Sequence, residues 1–158
     1  MNPVQLAITG TEPDAGQPSP YLALVQFYRA FNGRDMSLMA ANWASSENIA
    51  MDNPLGGIKR GWNSIRPVYE RLFTGSAQVY VEFWDYTIHE SPEMFYAVGR
   101  ERGHLRVQSV DLPLAIRTSR IFSKVNGAWR QVHHHGSIED PQLLSQYQAA
   151  VLGAPSVA

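Results

Sequence analysis

The chain has 158 residues, 44% of them apolar and 17% charged, which suits one globular domain that buries roughly two-thirds of its unfolded surface. Thirteen basic against fourteen acidic side chains leave a net charge of -1, so there is no global electrostatic footprint for nucleic acid or an anionic membrane. The absence of cysteine excludes disulfides, thiolate nucleophiles, iron–sulfur clusters and cysteine-ligated zinc, so any metal would need nitrogen or oxygen ligands.

Residues 1–19 carry Pro3, Gly10, Pro13, Gly16 and Pro18 with little apolar periodicity, which predicts a flexible N-terminal arm. No basic residue precedes Arg29 and no apolar run is sustained. That predicts neither a secretory signal nor a spanning helix, hence a soluble, cytoplasmic protein. Ser19-Pro20 reads as a helix start, with the hydroxyl as cap and proline at the first helical position. Leu24, Phe27, Tyr28 and Phe31 then form one apolar stripe, and Asn32-Gly33 ends it. Asp35 caps a second helix with Met36, Met39, Ala40 and Trp43 inside. A short strand over 49–52 leads into the Asn53-Pro54 turn, and Ile65, Tyr69 and Leu72 mark a third helix that Pro67 confines to a start near Asn63.

From Gln78 the period changes from 3.6 to 2. Tyr80, Glu82, Trp84, Tyr86 and Ile88 share one face of a long strand, with Val79, Val81 and Phe83 on the other. Further strands are predicted over 94–107, 112–124 and 128–138. Asn126-Gly127 forms a two-residue hairpin turn, and Pro113 marks an edge or bulge. A terminal helix is predicted over 141–152 and a tail over 154–158. Three N-terminal helices packed on a strongly bent antiparallel sheet make an α+β domain over 20–153, with a concavity suited to a pocket.

The segments FYRAFNGRD, MAANWA, DNPLGG, RGWNSIRPVYERLF and RTSRIFSKVNGAWRQVHHHGS, in that order, resemble the nuclear transport factor 2-like superfamily with its cystatin-like fold. The similarity is to its SnoaL-like branch, and within it to the association (hub) domains of calcium/calmodulin-dependent protein kinase II. The resemblance spans about 21–137 and is most specific over 120–137. It implies a cone-shaped α+β barrel, dimers formed through the sheet and a pocket between sheet and helices. It does not fix one function, which has to be argued from the site.

On a strand, Thr118, Arg120 and Phe122 share one face and Arg117, Ser119 and Ile121 the other, so one of Arg117 and Arg120 points inward. The resemblance assigns pocket arginines to Arg120 and Arg100. Two guanidiniums in an apolar cone hold a small carboxylate; equally, either pairs with Glu82, Asp85 or Glu101 as a structural ion pair. In the steroid-isomerase relatives an aspartate before the turn proline is the base. That slot reads Asn53, which cannot serve, so Asp52 takes the role if it points inward and otherwise caps the turn. The oxyanion-stabilising slots read Phe27 and Arg120, which does not support steroid-isomerase chemistry. Tyr28, beside the helix slot, is either a hydrogen-bond donor or packed core, and Tyr69 reaches the pocket from the third helix or merely packs.

His133 and His135 share a face, but no spacing supplies a third ligand, so no metal site is expected. The family register puts Val132, His134 and Gly136 on the pocket face, making His134 the ligand contact or proton shuttle. No phosphate-cradling glycine motif is present and no cofactor is expected. Together these residues predict a homodimeric pocket protein for a small, acidic organic molecule, with Asp52 and His134 as catalytic candidates for cofactor-independent isomerisation or dehydration. Arg100, Arg120, Tyr28, Asn53 and Tyr69 are its ligand-binding candidates. The alternative is a hub-like oligomerisation module with a non-catalytic pocket.

Overall fold

The structure, a computed structural model, describes residues 1–153; the expected tail lies outside the described residues. Helix α1 (Pro20–Asn32) starts as the capping logic requires, the Ser19 hydroxyl accepting from the Leu22 amide at 3.2 Å. Helix α2 (Met36–Asn42) is capped by Asp35. Strands β1 (Ala50–Asp52) and β2 (Lys59–Arg60) precede helix α3 (Trp62–Thr74). The long strands β3 (Gln78–Glu90), β4 (Met94–Val107), β5 (Val110–Val125) and β6 (Ala128–Ser137) follow, then helix α4 (Pro141–Leu152).

The architecture is mixed α+β around one six-stranded curled sheet, in the order β2-β1-β6-β5-β4-β3. Besides the three N-terminal helices, a fourth, α4, lies where the terminal helix was predicted and also packs on the core. One feature differs from expectation: the sheet is not wholly antiparallel, because β1 runs parallel to β6.

Alternation along the strands places Phe95, Ala97, Glu101 and Leu105 of β4, and Leu114, Ile116, Thr118, Arg120 and Phe122 of β5, on the buried inner face. Two irregularities break the period. In β3 the register shifts between Trp84 and Thr87, with Asp85 at φ +50, and this turns Tyr86 into the core instead of grouping it with Trp84. In β6 the register steps from Gln131 to His133 opposite Phe122 and Ile121, so that both Gln131 and His134 are buried. Pro113 lies where β5 extends past the end of β6, whose first pair is Arg117 with Ser137, so this stretch is locally an edge.

The N-terminal segment is held against the sheet rather than free. Val4 and Ile8 bridge to Tyr86 and Phe83, and Ile8 is fully buried. Arg29 donates to the Gly10 and Glu12 carbonyls and pairs with Asp14 at 2.6 Å. Gly10 has φ +90, and a β-carbon there would meet the Arg29 backbone nitrogen at 2.3 Å. Proline and glycine here shape a tight path over α1, which composition cannot distinguish from disorder.

Candidate functional site

The interior between the curled sheet and the helices holds a buried polar cluster built on Arg120, which is 2% exposed. Its guanidinium donates from Nη2 to Glu101 Oε1 at 2.8 Å, from Nη1 to Gln131 Oε1 at 2.8 Å and from Nε to the Tyr28 hydroxyl at 3.3 Å. The Tyr28 hydroxyl in turn donates to Glu101 Oε1 at 2.7 Å. The guanidinium also lies over the Phe27 ring, its carbon 3.5 Å from the centroid, an arrangement that favours a cation at an aromatic face. Around the cluster, Trp43 Nε1, Thr118 Oγ1 and Gln131 Nε2 are buried with no hydrogen-bond partner among the described residues, unlike the great majority of buried polar groups.

Arg120, Glu101, His134, Asn53, Tyr69 and Tyr147 share a cavity of about 40 Å³ closed by apolar side chains of α1, α3 and β3. That is room for a few atoms, against roughly 300–1,000 Å³ for sites that enclose a drug-sized ligand. Glu101 Oε2 accepts no hydrogen bond among the described residues, Oε1 taking those of Arg120 and Tyr28. His134 Nδ1 is 3.4 Å from the Ser119 carbonyl. A carbonyl only accepts, so Nδ1 carries the proton in that contact and Nε2 is left as an acceptor.

Burial, and next the charge of Arg120, push the His134 imidazole well below its usual 6.5, so it is neutral at physiological pH. Burial raises the Tyr69 phenol to about 12 against the opposing pull of Arg120. It also holds Tyr28 well above its ordinary value, with Arg120 again opposing. For Arg120 burial works against the charge, but Tyr28 and Glu101 outweigh it, and the guanidinium stays protonated.

Of the residues singled out from sequence, Arg120, His134, Asn53 and Tyr69 come together at this cavity. Asn53 also caps the turn, its Oδ1 accepting from the Leu55 amide at 3.1 Å. Tyr28 supports the cluster from behind.

Two candidates lie elsewhere. Arg100 projects from the outer face of the sheet and pairs with Asp85 at 3.3 Å and Glu139 at 3.8 Å, because its neighbour Glu101 takes the inward position on β4. Asp52 also faces outward, because Met51 is the buried residue of β1. Its Oδ2 is 2.6 Å from His135 Nδ1 and its Oδ1 3.5 Å from His133 Nε2. It can act neither as a base inside the fold nor as the cap of the turn.

Of the ion-pair partners considered for the two arginines, Asp85 pairs with Arg100 and Glu101 with Arg120, while Glu82 pairs with Arg102 instead. Glu101 and Tyr147 were not foreseen as site residues. Alternation did carry a signal for Glu101, which sits between two outward arginines.

Residues 22–141 match the family model of the SnoaL-like domain. No curated protein matches. Among solved structures, the chain is similar to a Thiobacillus denitrificans protein described as a calcium/calmodulin-dependent protein kinase type II association domain. Identity is 23% and the TM-score 0.64, over 80% of this chain and 100% of that one. It is also similar to a protein described as a dehydratase of the nuclear transport factor 2-like family from Streptomyces avermitilis, at 15% identity and TM-score 0.64 over 73% and 90% of the two chains. A third is a ketosteroid isomerase-like protein from Erwinia carotovora atroseptica, at 19% identity and TM-score 0.62 over 76% and 93%. At these identities the likeness shows the fold alone.

Proposed function

The chain belongs to the SnoaL-like family, and from that premise we propose that it binds a small organic molecule in the interior of the curled sheet, against Arg120, Glu101 and His134. The observation that carries this reading is the Arg120–Glu101 pair beside a cavity, 2% and 5% exposed. Apolar residues of similar volume would stabilise such an interior as well or better, so the pair is better explained by recognition than by stability.

Arg120 is already matched by Glu101, so the pair presents no net charge. This favours a compact neutral ligand bearing a carbonyl or hydroxyl oxygen over the carboxylate suggested by two unpaired arginines. Such an oxygen would accept from Arg120 or from the neutral Tyr69 phenol and donate, where it can, to Glu101 Oε2 or His134 Nε2. Arg100 and Asp52, on the outer face, take no part.

A second reading, cofactor-independent isomerisation or dehydration, is favoured by Glu101 Oε2, a carboxylate oxygen without a hydrogen bond at the cavity. Arg120 and Tyr69 would then stabilise an enolate while Glu101 moves the proton. A general base works best with a pKa near the working pH, and the depressed pKa of His134 makes it a poor one.

The two readings separate in one experiment. Small cyclic ketones and carboxylates are screened by thermal shift, and binders are followed in D₂O by proton NMR. Binding without exchange of the protons α to the carbonyl supports a binding protein. Exchange that Glu101→Gln slows by 10²-fold or more supports an enzyme, and binding of carboxylates alone would overturn the neutral-ligand reading. We also propose that the uncovered outer face of the sheet pairs with a second copy, against the alternative of a larger hub-like assembly.

A further inference from the structure

Helix α4 closes one side of the interior through Tyr147, and the way that helix is attached has a functional meaning. Tyr147 is the one buried residue of its 12, and it lines the same cavity as Arg120, Glu101, His134 and Tyr69. Leu143, Leu144, Ala150 and Val151 are only partly buried against the core. Besides its caps, the helix makes two polar ties among the described residues: Gln148 Nε2 donates to the Pro54 carbonyl at 2.9 Å, and Arg71 donates to the carbonyl of Leu152, its last residue, at 3.0 Å.

The helix is otherwise self-contained. Asp140 caps its start by accepting from the amides of Gln142 and Leu143, Pro141 opens it, and Gly153 closes it in the left-handed conformation. A helix capped at both ends by its own residues moves as one body instead of unravelling. The connection to β6 is short: Ile138 is buried, and exposed Glu139 is held by Arg117 at 3.1 Å. These are the attributes of a hinged cover over a site too small, as it stands, to take a ligand.

We propose that α4 is a lid pivoting about residues 138–140, and that the Tyr147 phenol occupies the place of the ligand, so that the site admits a single neutral ring bearing one oxygen substituent. This rests on the reading that the interior binds a small molecule, and it adds the size class of the ligand and the residue that sets it. The phenol is neutral, with its pKa raised chiefly by burial and further by Glu101 and Tyr69. When α4 swings out, the vacated volume is that of one phenol ring beside the existing cavity, and the groups left facing it are Tyr69, Glu101, Arg120 and His134. The apparent affinity of any ligand is then its intrinsic affinity reduced by the fraction of molecules with the lid open.

The test uses p-cresol, the side-chain analogue of tyrosine, with the 158-residue chain and two variants. Gln148→Ala removes a tie without touching the cavity. Tyr147→Ala removes the plug. Amide hydrogen exchange at pH 7 is expected to show α4 opening ahead of β5, since lids belong to the least stable parts of a fold. Gln148→Ala should speed α4 exchange and tighten p-cresol binding about five-fold each, the equivalent of one net hydrogen bond. Tyr147→Ala should bind p-cresol one to one, at least ten-fold tighter than the parent, with the His134 ring resonances shifting on binding.

If α4 exchanges only with global unfolding and p-cresol binds the parent and Gln148→Ala equally well, the lid is refuted while the interior site stands. If no neutral ring binds any of the folded proteins, the interior site itself is refuted and the lid with it. Should Tyr147→Ala not fold, Gln148→Ala decides the matter alone, because it alters exchange and affinity without creating a cavity.

Discussion

Arg120 and His134 show how a single position is decided by what surrounds it. Both project inward from neighbouring strands, paired as Arg120 with His134 across β5 and β6, yet they end in opposite charge states. The guanidinium keeps its charge because Glu101, Gln131 and Tyr28 meet it at hydrogen-bonding distance and Phe27 lies beneath it. The imidazole, with a long contact to one carbonyl and a permanent cation across the strand, is driven neutral by burial first and by Arg120 second.

A histidine whose folded pKa lies below its unfolded value gives stability that is fully present above about pH 6.5 and is lost as the pH falls, because the unfolded chain takes up a proton that the folded chain refuses. At pH 5.5 the loss from His134 alone is on the order of 1 kcal/mol. Urea unfolding at pH 7.5 and 5.5 should therefore show the acid-induced loss reduced by about that amount in His134→Gln. An equal loss in the two proteins would mean that His134 is already protonated inside the fold.

At the scale of elements, the period of the side chains was readable and its interruptions were not. The strand over 94–107 has the predicted bounds, and Asn126 and Gly127 both have the positive φ of the hairpin turn their pairing demands. The helix caps at Ser19 and Asp35 lie where predicted. What local sequence did not disclose was one extra residue in β3 and one in β6, each of which reassigns every side chain beyond it to the other face. For that reason Tyr86 was placed with Trp84, and Val132 rather than Gln131 was expected inside. Asp52 was legible as a member of a short strand, but its direction depends on which neighbour the core claims, and Met51 is the more apolar of the two.

Glycines in β4 let β3 curl over it. A β-carbon on Gly103 would meet the Tyr80 carbonyl oxygen at 1.9 Å and the Val81 Cα at 3.0 Å, backbone atoms that no rotamer change can move aside. Gly103→Ala should cost about 3 kcal/mol or prevent folding. Arg102→Ala, which removes a half-exposed pair with Glu82 on the outer face, should cost under about 1 kcal/mol. Chemical denaturation of the two variants side by side checks the contrast, and similar losses would show that the curl is not fixed by Gly103.

Across the whole molecule, the two faces of the sheet are treated differently. Helices α1, α3 and α4 and the buried Ile8 of the N-terminal segment close over the inner face. No helix of the described residues lies on the outer face, where Met94, Tyr96 and Val98 are exposed in one row along β4. Opposite them across the strands stand His89, stacked on Tyr96 with ring centroids 4.5 Å apart, and Ile121. An apolar strip of this kind at the centre of a face rimmed by the paired arginines Arg100, Arg102 and Arg117 has the composition of an interface core with a charged rim.

A second copy rotated by two-fold symmetry would lay strip on strip, burying Tyr96 and Val98 from both sides. Light scattering on the purified protein should give twice the 17.7 kDa of the chain. Val98→Glu, which places a charge at the centre of the strip while leaving the inner face untouched, should return the chain mass with the fold intact by circular dichroism. A monomer in the parent protein would leave the strip without a copy to cover it, and a mass of many chains would favour the assembly reading. In either of those cases the interior site and its lid would have to be tested as the property of a different particle.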